Sequence, residues 1–231
     1  MQFMQRNMMR WLKTRTCAGF AIVVIALPVL AGCSANGKIK PATIAQEFDG
    51  VKGLTIERLN DGREGFIIKE SPQMDEVSRR DFDRAVGLLE DGEYVQAVDL
   101  LEKVIEKSPG VTAPYINMAI ACRQIGELER AEEYLKTALS LVPEHPAACN
   151  EYGLLYRKTG RFTEARAIYE KVIGRFPDYY PVHRNLGILC DLYLDDPVCA
   201  LDHYEIYSRA LPDDKQVKLW IADLQIRLGR N

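Results

Sequence analysis

Histidine is the side chain that titrates nearest neutral pH, and the 231-residue chain has three: His145, His183 and His203. None lies in an HExxH pattern, and no GxSxG, phosphate-binding loop or CxxC pair accompanies them. The paired acids Glu132-Glu133 and Asp195-Asp196 are the remaining candidates for acid–base work. In helical or turn sequence such pairs more commonly form solvated faces or helix caps. Past residue 33 the cysteines are Cys122, Cys149, Cys190 and Cys199, spread along the chain without the close pairs a four-thiolate metal site needs. These residues describe a chain that is not an enzyme, with no cofactor, no metal site and no small-molecule substrate.

The first 33 residues read as an address. Arg6, Arg10, Lys13 and Arg15 make a positive start, and 18–30 is an apolar run too short to span a bilayer. Removing 1–32 takes the formal charge from −3 to −7. An acidic mature chain lacks the basic footprint of a nucleic-acid binder. The motif Leu30-Ala31-Gly32-Cys33 resembles the lipobox of bacterial lipoproteins. The resemblance implies a signal peptide over 1–32 and acylation of Cys33 (palmitate among the chains), and several acyl chains anchor stably where one does not. Ser34 stands where an Asp would retain such a lipoprotein in the inner membrane, so the implied location is the outer membrane, facing the periplasm.

Residues 33–53 then form the lipidated Cys and a Gly- and Pro-containing flexible tether. Two short apolar runs flank Asn60-Asp61-Gly62-Arg63-Glu64, which predicts a β-hairpin over 54–70. A lone hairpin is marginal in water, so it should pack on the first helices or pair with a partner's strand.

From residue 71 to 231 the chain is dominated by a period of 34. Pro109, Pro143 and Pro177 keep that step, as do Ala97, Ala131 and Ala165, and Gly92, Gly126 and Gly160. Ala85, Ala119, Gly153 and Gly187 carry it through a fourth unit. This resembles the tetratricopeptide repeat, a helix–turn–helix unit of ~34 residues. The resemblance implies an all-α, right-handed solenoid of four repeats at about 78–111, 112–145, 146–179 and 180–214. Small residues let helix A approach helix B, glycines turn the chain between them, and prolines end helix B. In the fourth unit Ala200 and Pro212 arrive one residue late, so an extra residue is expected near Asp195-Asp196-Pro197, with Pro197 opening helix B. A capping helix over 215–228 should close the end of the solenoid, with Val217, Trp220, Ile221, Leu224 and Leu228 at helical spacing.

Register places His183 at the position of Tyr115 and Cys149, facing the helix seam, where a packed role fits best. Cys190 and Cys199 stand on antiparallel helices joined by a short turn, a placement from which a disulfide could form in an oxidising compartment. Cys122 and Cys149 are expected to remain buried thiols.

Function must then come from a surface. In the family, helix A side chains line a concave groove for a peptide or partner helix. Val86, Ile120, Leu154 and Ile188 share one inward position, with Phe82, Ile116, Asn117, Asn150, Arg184 and Asn185 beside it and Arg123 and Arg157 near the end of helix A. An apolar stripe edged by Asn and Arg would suit a segment with apolar anchors and exposed backbone carbonyls. Four repeats are too few to close a superhelix over it, which favours an open groove over a stripe buried between turns. The reading is a non-catalytic protein–protein interaction scaffold. The last unit and cap are similar to those of repeat proteins accompanying TonB-type energising systems, which implies an adaptor docking a subunit of such an envelope machine. Pilotin-like lipoproteins that assist assembly of a secretin or type IV pilus are the alternative. A subunit positioning a cell-wall enzyme is a third.

Overall fold

The computed structural model describes residues 73–230 and three short strands: β1 (Gln46–Glu47), β2 (Leu54–Arg58) and β3 (Phe66–Glu70). The signal segment 1–32, Cys33 and most of the tether lie outside the described residues. The strands pair antiparallel in the order β1-β2-β3, with Ile56 opposite both Gln46 and Ile68. β2 and β3 fall within the segment read as a hairpin. The third strand comes from inside the segment read as a tether, where Gln46 and Glu47 carry no alternating pattern and pair with Ile56 and Thr55.

Four helical hairpins and a last helix follow: α1 (Glu76–Asp91) with α2 (Tyr94–Lys107), α3 (Thr112–Ile125) with α4 (Leu128–Leu141), α5 (Pro146–Lys158) with α6 (Phe162–Arg175), α7 (Tyr180–Tyr193) with α8 (Pro197–Ala210), and α9 (Lys215–Arg227). This is the tetratricopeptide α-solenoid with its C-terminal cap. No helix among the described residues is long and apolar enough to cross a membrane.

Local chemistry sets the helix ends. Asp75 caps α1, its Oδ1 accepting from the N–H groups of Val77 and Ser78 at 2.8 and 3.0 Å. Asp214 does the same for α9 through Gln216 and Val217. Gly92, Gly126 and Gly160 sit at φ 84°, 92° and 77° in the turns within the first three units, a region glycine enters without steric cost. Across those turns the residue after the glycine donates its N–H five residues back: Glu93 to Leu88, Glu127 to Cys122 and Arg161 to Tyr156.

The fourth unit solves the same turn with one more residue. Asp196 donates six residues back, to the Cys190 carbonyl, and Leu194 donates five back, to Leu189. The extra residue is therefore taken up by widening the last turn of α7, just before the Asp195-Asp196-Pro197 segment expected to hold it. Asp195 takes the left-handed position at φ 49°, which Asp tolerates better than most residues. Asp196 caps α8 by accepting from the Cys199 N–H at 3.1 Å, and Pro197 opens that helix.

Cys190 and Cys199 are joined in a disulfide across this turn, with Cα atoms 6.0 Å apart. The bond closes a loop of about ten residues, for which chain entropy gives ~2–3 kcal/mol of stabilisation. Reduction, or Cys199→Ser, is expected to lower the melting temperature by roughly 5–10 °C. Circular dichroism melts with and without a dithiol reductant check this, and coincident curves would refute it. Cys122 and Cys149 are buried free thiols. Burial pushes both thiols up, Cys149 to about 12, which leaves them protonated and inert.

The core runs along the seam between A and B helices. Ala85 and Ala119 share a cluster with Leu101 and Leu135, whereas Gly153 and Gly187 lie against the rings of Tyr169 and Tyr204. All four of these large side chains are essentially inaccessible to water.

Candidate functional site

The A helices α1, α3, α5 and α7 carry the residues singled out from the sequence, at equivalent positions of successive repeats. Their exposure differs from an open groove. Val86, Ile116, Ile120 and Ile188 are buried, Ile120 completely, and so are Asn117, Asn150 and Asn185. Phe82 and Leu154 are half-buried. The stripe expected to be open to water is thus closed, except at Leu154 and Phe82. Periodicity identifies a face of a helix but carries no information about what covers it.

The polar residues of the row are engaged with one another. Asn185 Nδ2 donates to Asn150 Oδ1 at 2.8 Å in a buried bond between adjacent A helices. Arg123 meets the Glu151 carboxylate at 2.9 Å, with the two side chains 13% and 3% exposed. Burial pushes Glu151 above the ordinary carboxylate range, and the Arg123 guanidinium opposes that shift. Arg157 reaches the Asn185 carbonyl at 3.4 Å and lies 6.0 Å from the Tyr193 ring. Arg184 stacks 5.1 Å over Trp220 and sits 3.7 Å from Asp214, which ties the cap to the fourth unit. The arginines read as a rim for a ligand are therefore latches between units.

Glu151 was missed in the sequence, though a signal was there. Arg123 and Glu151 are 28 residues apart, and so are Arg157 and Asn185. One position of each A helix thus reaches a fixed position of the next. The same rule explains an orphan: 28 residues before Asn117 stands Leu89, which cannot donate. Asn117 Oδ1 is accordingly buried without a hydrogen-bond partner, between Ile116 and Met118 in a wholly buried stretch of α3.

The histidines are structural parts. His145 caps α5, its Nδ1 accepting from the Ala148 N–H at 3.3 Å. His183 is buried, with Nε2 2.9 Å from the Pro177 carbonyl and Nδ1 3.0 Å from His203 Nδ1. A carbonyl only accepts, so His183 donates from Nε2, and its Nδ1 accepts from His203 Nδ1–H. Burial holds both imidazoles below the ordinary histidine value, which keeps them neutral as this arrangement requires. Tyr115, at the same repeat position, donates its hydroxyl to the equivalent carbonyl of Pro109 at 3.0 Å. Two units thus close the same bond with different side chains, a structural task. Cys190, Asp196 and Cys199 bring three metal-type donor atoms within 4.8 Å. The two sulfurs are committed to each other and the Asp196 carboxylate to its cap.

The fold and this row of linked A helices define a tetratricopeptide solenoid, a module that is generally non-catalytic and binds proteins. A family model described as "Tetratricopeptide repeat" matches residues 88–148 and 126–187. Among solved structures, the chain is similar to that titled "Functional Characterization of Pseudomonas Aeruginosa pilF", with TM-score 0.61 and 24% identity, over 67% of this chain and 70% of that one. A thermophilic tetratricopeptide protein of Thermus thermophilus gives TM-score 0.58 at 21% identity, over 66% and 84%. Likeness at these identities establishes the fold. Among curated proteins, photosystem I assembly protein Ycf3 of Synechococcus is 36% identical over 77 residues, 32% of this chain and 44% of its own length. The probable UDP-N-acetylglucosamine–peptide N-acetylglucosaminyltransferase SPINDLY of Petunia hybrida is 32% identical over 97 residues, 42% of this chain and 10% of its own length. The chain spans less than half the length of both.

Proposed function

We propose that the protein is an adaptor, held to the periplasmic face of the outer membrane through acylated Cys33, that docks one subunit of an envelope machine on the concave side of its solenoid. The observation that carries the docking reading is the aliphatic row of the A helices, in which Leu154 and Phe82 remain half-buried and so can be reached. An apolar side chain of a partner segment seated there buries further area at both. The anchor rests on Leu30-Ala31-Gly32-Cys33. A subunit of a TonB-type system is the first partner to test.

Two substitutions test the two halves. Cys33→Ser removes the acyl acceptor, so the chain is expected to leave the outer-membrane fraction while its helices stay folded. Recovery of Cys33→Ser there at wild-type level would refute the anchor. Leu154 is half-buried on the docking side, so Leu154→Glu should fold while placing a charge where an apolar partner sits. At ~2 kcal/mol this weakens partner capture from detergent-solubilised membranes about 30-fold. Undiminished capture would refute the docking surface.

A further inference from the structure

The row carried by the A helices is buried along most of its length. An A helix packs on its own B helix, on the preceding B helix and on neighbouring A helices, which leaves its concave side without a helical neighbour. α3 nevertheless buries every residue from Pro114 to Cys122, among them Tyr115 and Ala119 on the seam and Ile116, Asn117 and Ile120 on the concave side. A helix buried all round is covered all round. Among the described side chains outside the solenoid, Ile68 of β3 packs against the apolar cluster that runs from α3 to α9 and includes Ile116, Ile120 and Ile188.

We propose that β3 is the resident occupant of the concave face: the chain fills its own docking surface through Ile68, and a partner engages that surface by displacing the strand. The proposal rests on the docking reading above and deepens it by fixing the kind of partner. The displaced occupant is an extended strand with an aliphatic side chain, so the competent partner is likewise an extended segment presenting an aliphatic residue in place of Ile68.

The test needs no partner, so its failure is separate from failure of the docking reading, which Leu154→Glu addresses. In the full chain, Ile120→Cys is labelled with a maleimide and the modification is read at that peptide by mass spectrometry. Adding Ile68→Glu is expected to speed labelling at least tenfold while helical circular dichroism is kept. Unchanged labelling in a helical protein overturns the proposal. A second measurement covers loss of helix in that variant: a benzophenone side chain in place of Ile68, photoactivated in the otherwise wild-type chain. Links to peptides of α3, α5 or α7 support the proposal, and links confined to other segments overturn it.

Discussion

Gly153→Ala is expected to cost ~3 kcal/mol, although it adds a single methyl group. The new Cβ would lie inside the contact distance of the Tyr169 ring, which is completely buried and has nowhere to retreat. Tyr169→Leu alone should cost ~2 kcal/mol through the cavity it leaves. The pair together copies a solution the chain already uses, since Ala119 packs with Leu135 where Gly153 packs with Tyr169. The double variant is therefore expected to recover most of both losses, a coupling of ~3 kcal/mol. It also removes the Tyr169 hydroxyl, which is buried without a hydrogen-bond partner. Urea unfolding of the four proteins measures the coupling. Additive losses would show that the two side chains do not share one volume.

Arg123→Ala should be comparably damaging, by ~3–5 kcal/mol near neutral pH, because it leaves the Glu151 carboxylate buried without its cation. The effect has a sign in pH. Burial already holds Glu151 above its ordinary value, so the folded state takes up this proton more readily than the unfolded one. The stability from that uptake is complete below the ordinary carboxyl range and is lost as pH rises through the raised value. Without Arg123 the value rises further, so the deficit of the variant should be small in acid and grow toward neutrality. Glu132 and Glu144 act in the opposite sense: the Tyr152 hydroxyl and the Lys171 ammonium hold their carboxyls low, and their contribution is lost as pH falls. Both proteins share those groups, so the difference between Arg123→Ala and wild type isolates Glu151. A deficit that does not change with pH would show that Glu151 is not the group left unpaired, and Arg123→Ala/Glu151→Gln should restore much of the loss.

The period of 34 was enough to place the helices, because Ala, Gly and Pro at fixed steps report close approach, turns and helix ends directly. It also placed Cys190 and Cys199 on facing helices across one turn, from where a disulfide could form. What the period could not report is what each recurring position meets. Arg123 and Arg157 recur together, and on a helical wheel they edge a groove. In the structure they reach forward 28 residues to Glu151 and to the Asn185 backbone. Ile116 and Ile120 were expected to line an open groove, and the repeat register does not report that they are buried. The paired exchange of Ala with Leu for Gly with Tyr was present in the sequence. It becomes interpretable only once the two positions are known to touch.

The side-chain links between units are short in sequence. Arg123 to Glu151 spans 28 residues, Asn150 to Asn185 spans 35, and Arg227 reaches Asp191 across 36. Such wiring makes folding a local affair, since no distant segment must be found before a unit can close. A chain that emerges N-terminus first, from a ribosome or through a membrane channel, can therefore consolidate each helical hairpin as soon as the next one arrives. The solenoid assembles like a zip rather than a knot, and the disulfide fastens the turn of its fourth hairpin.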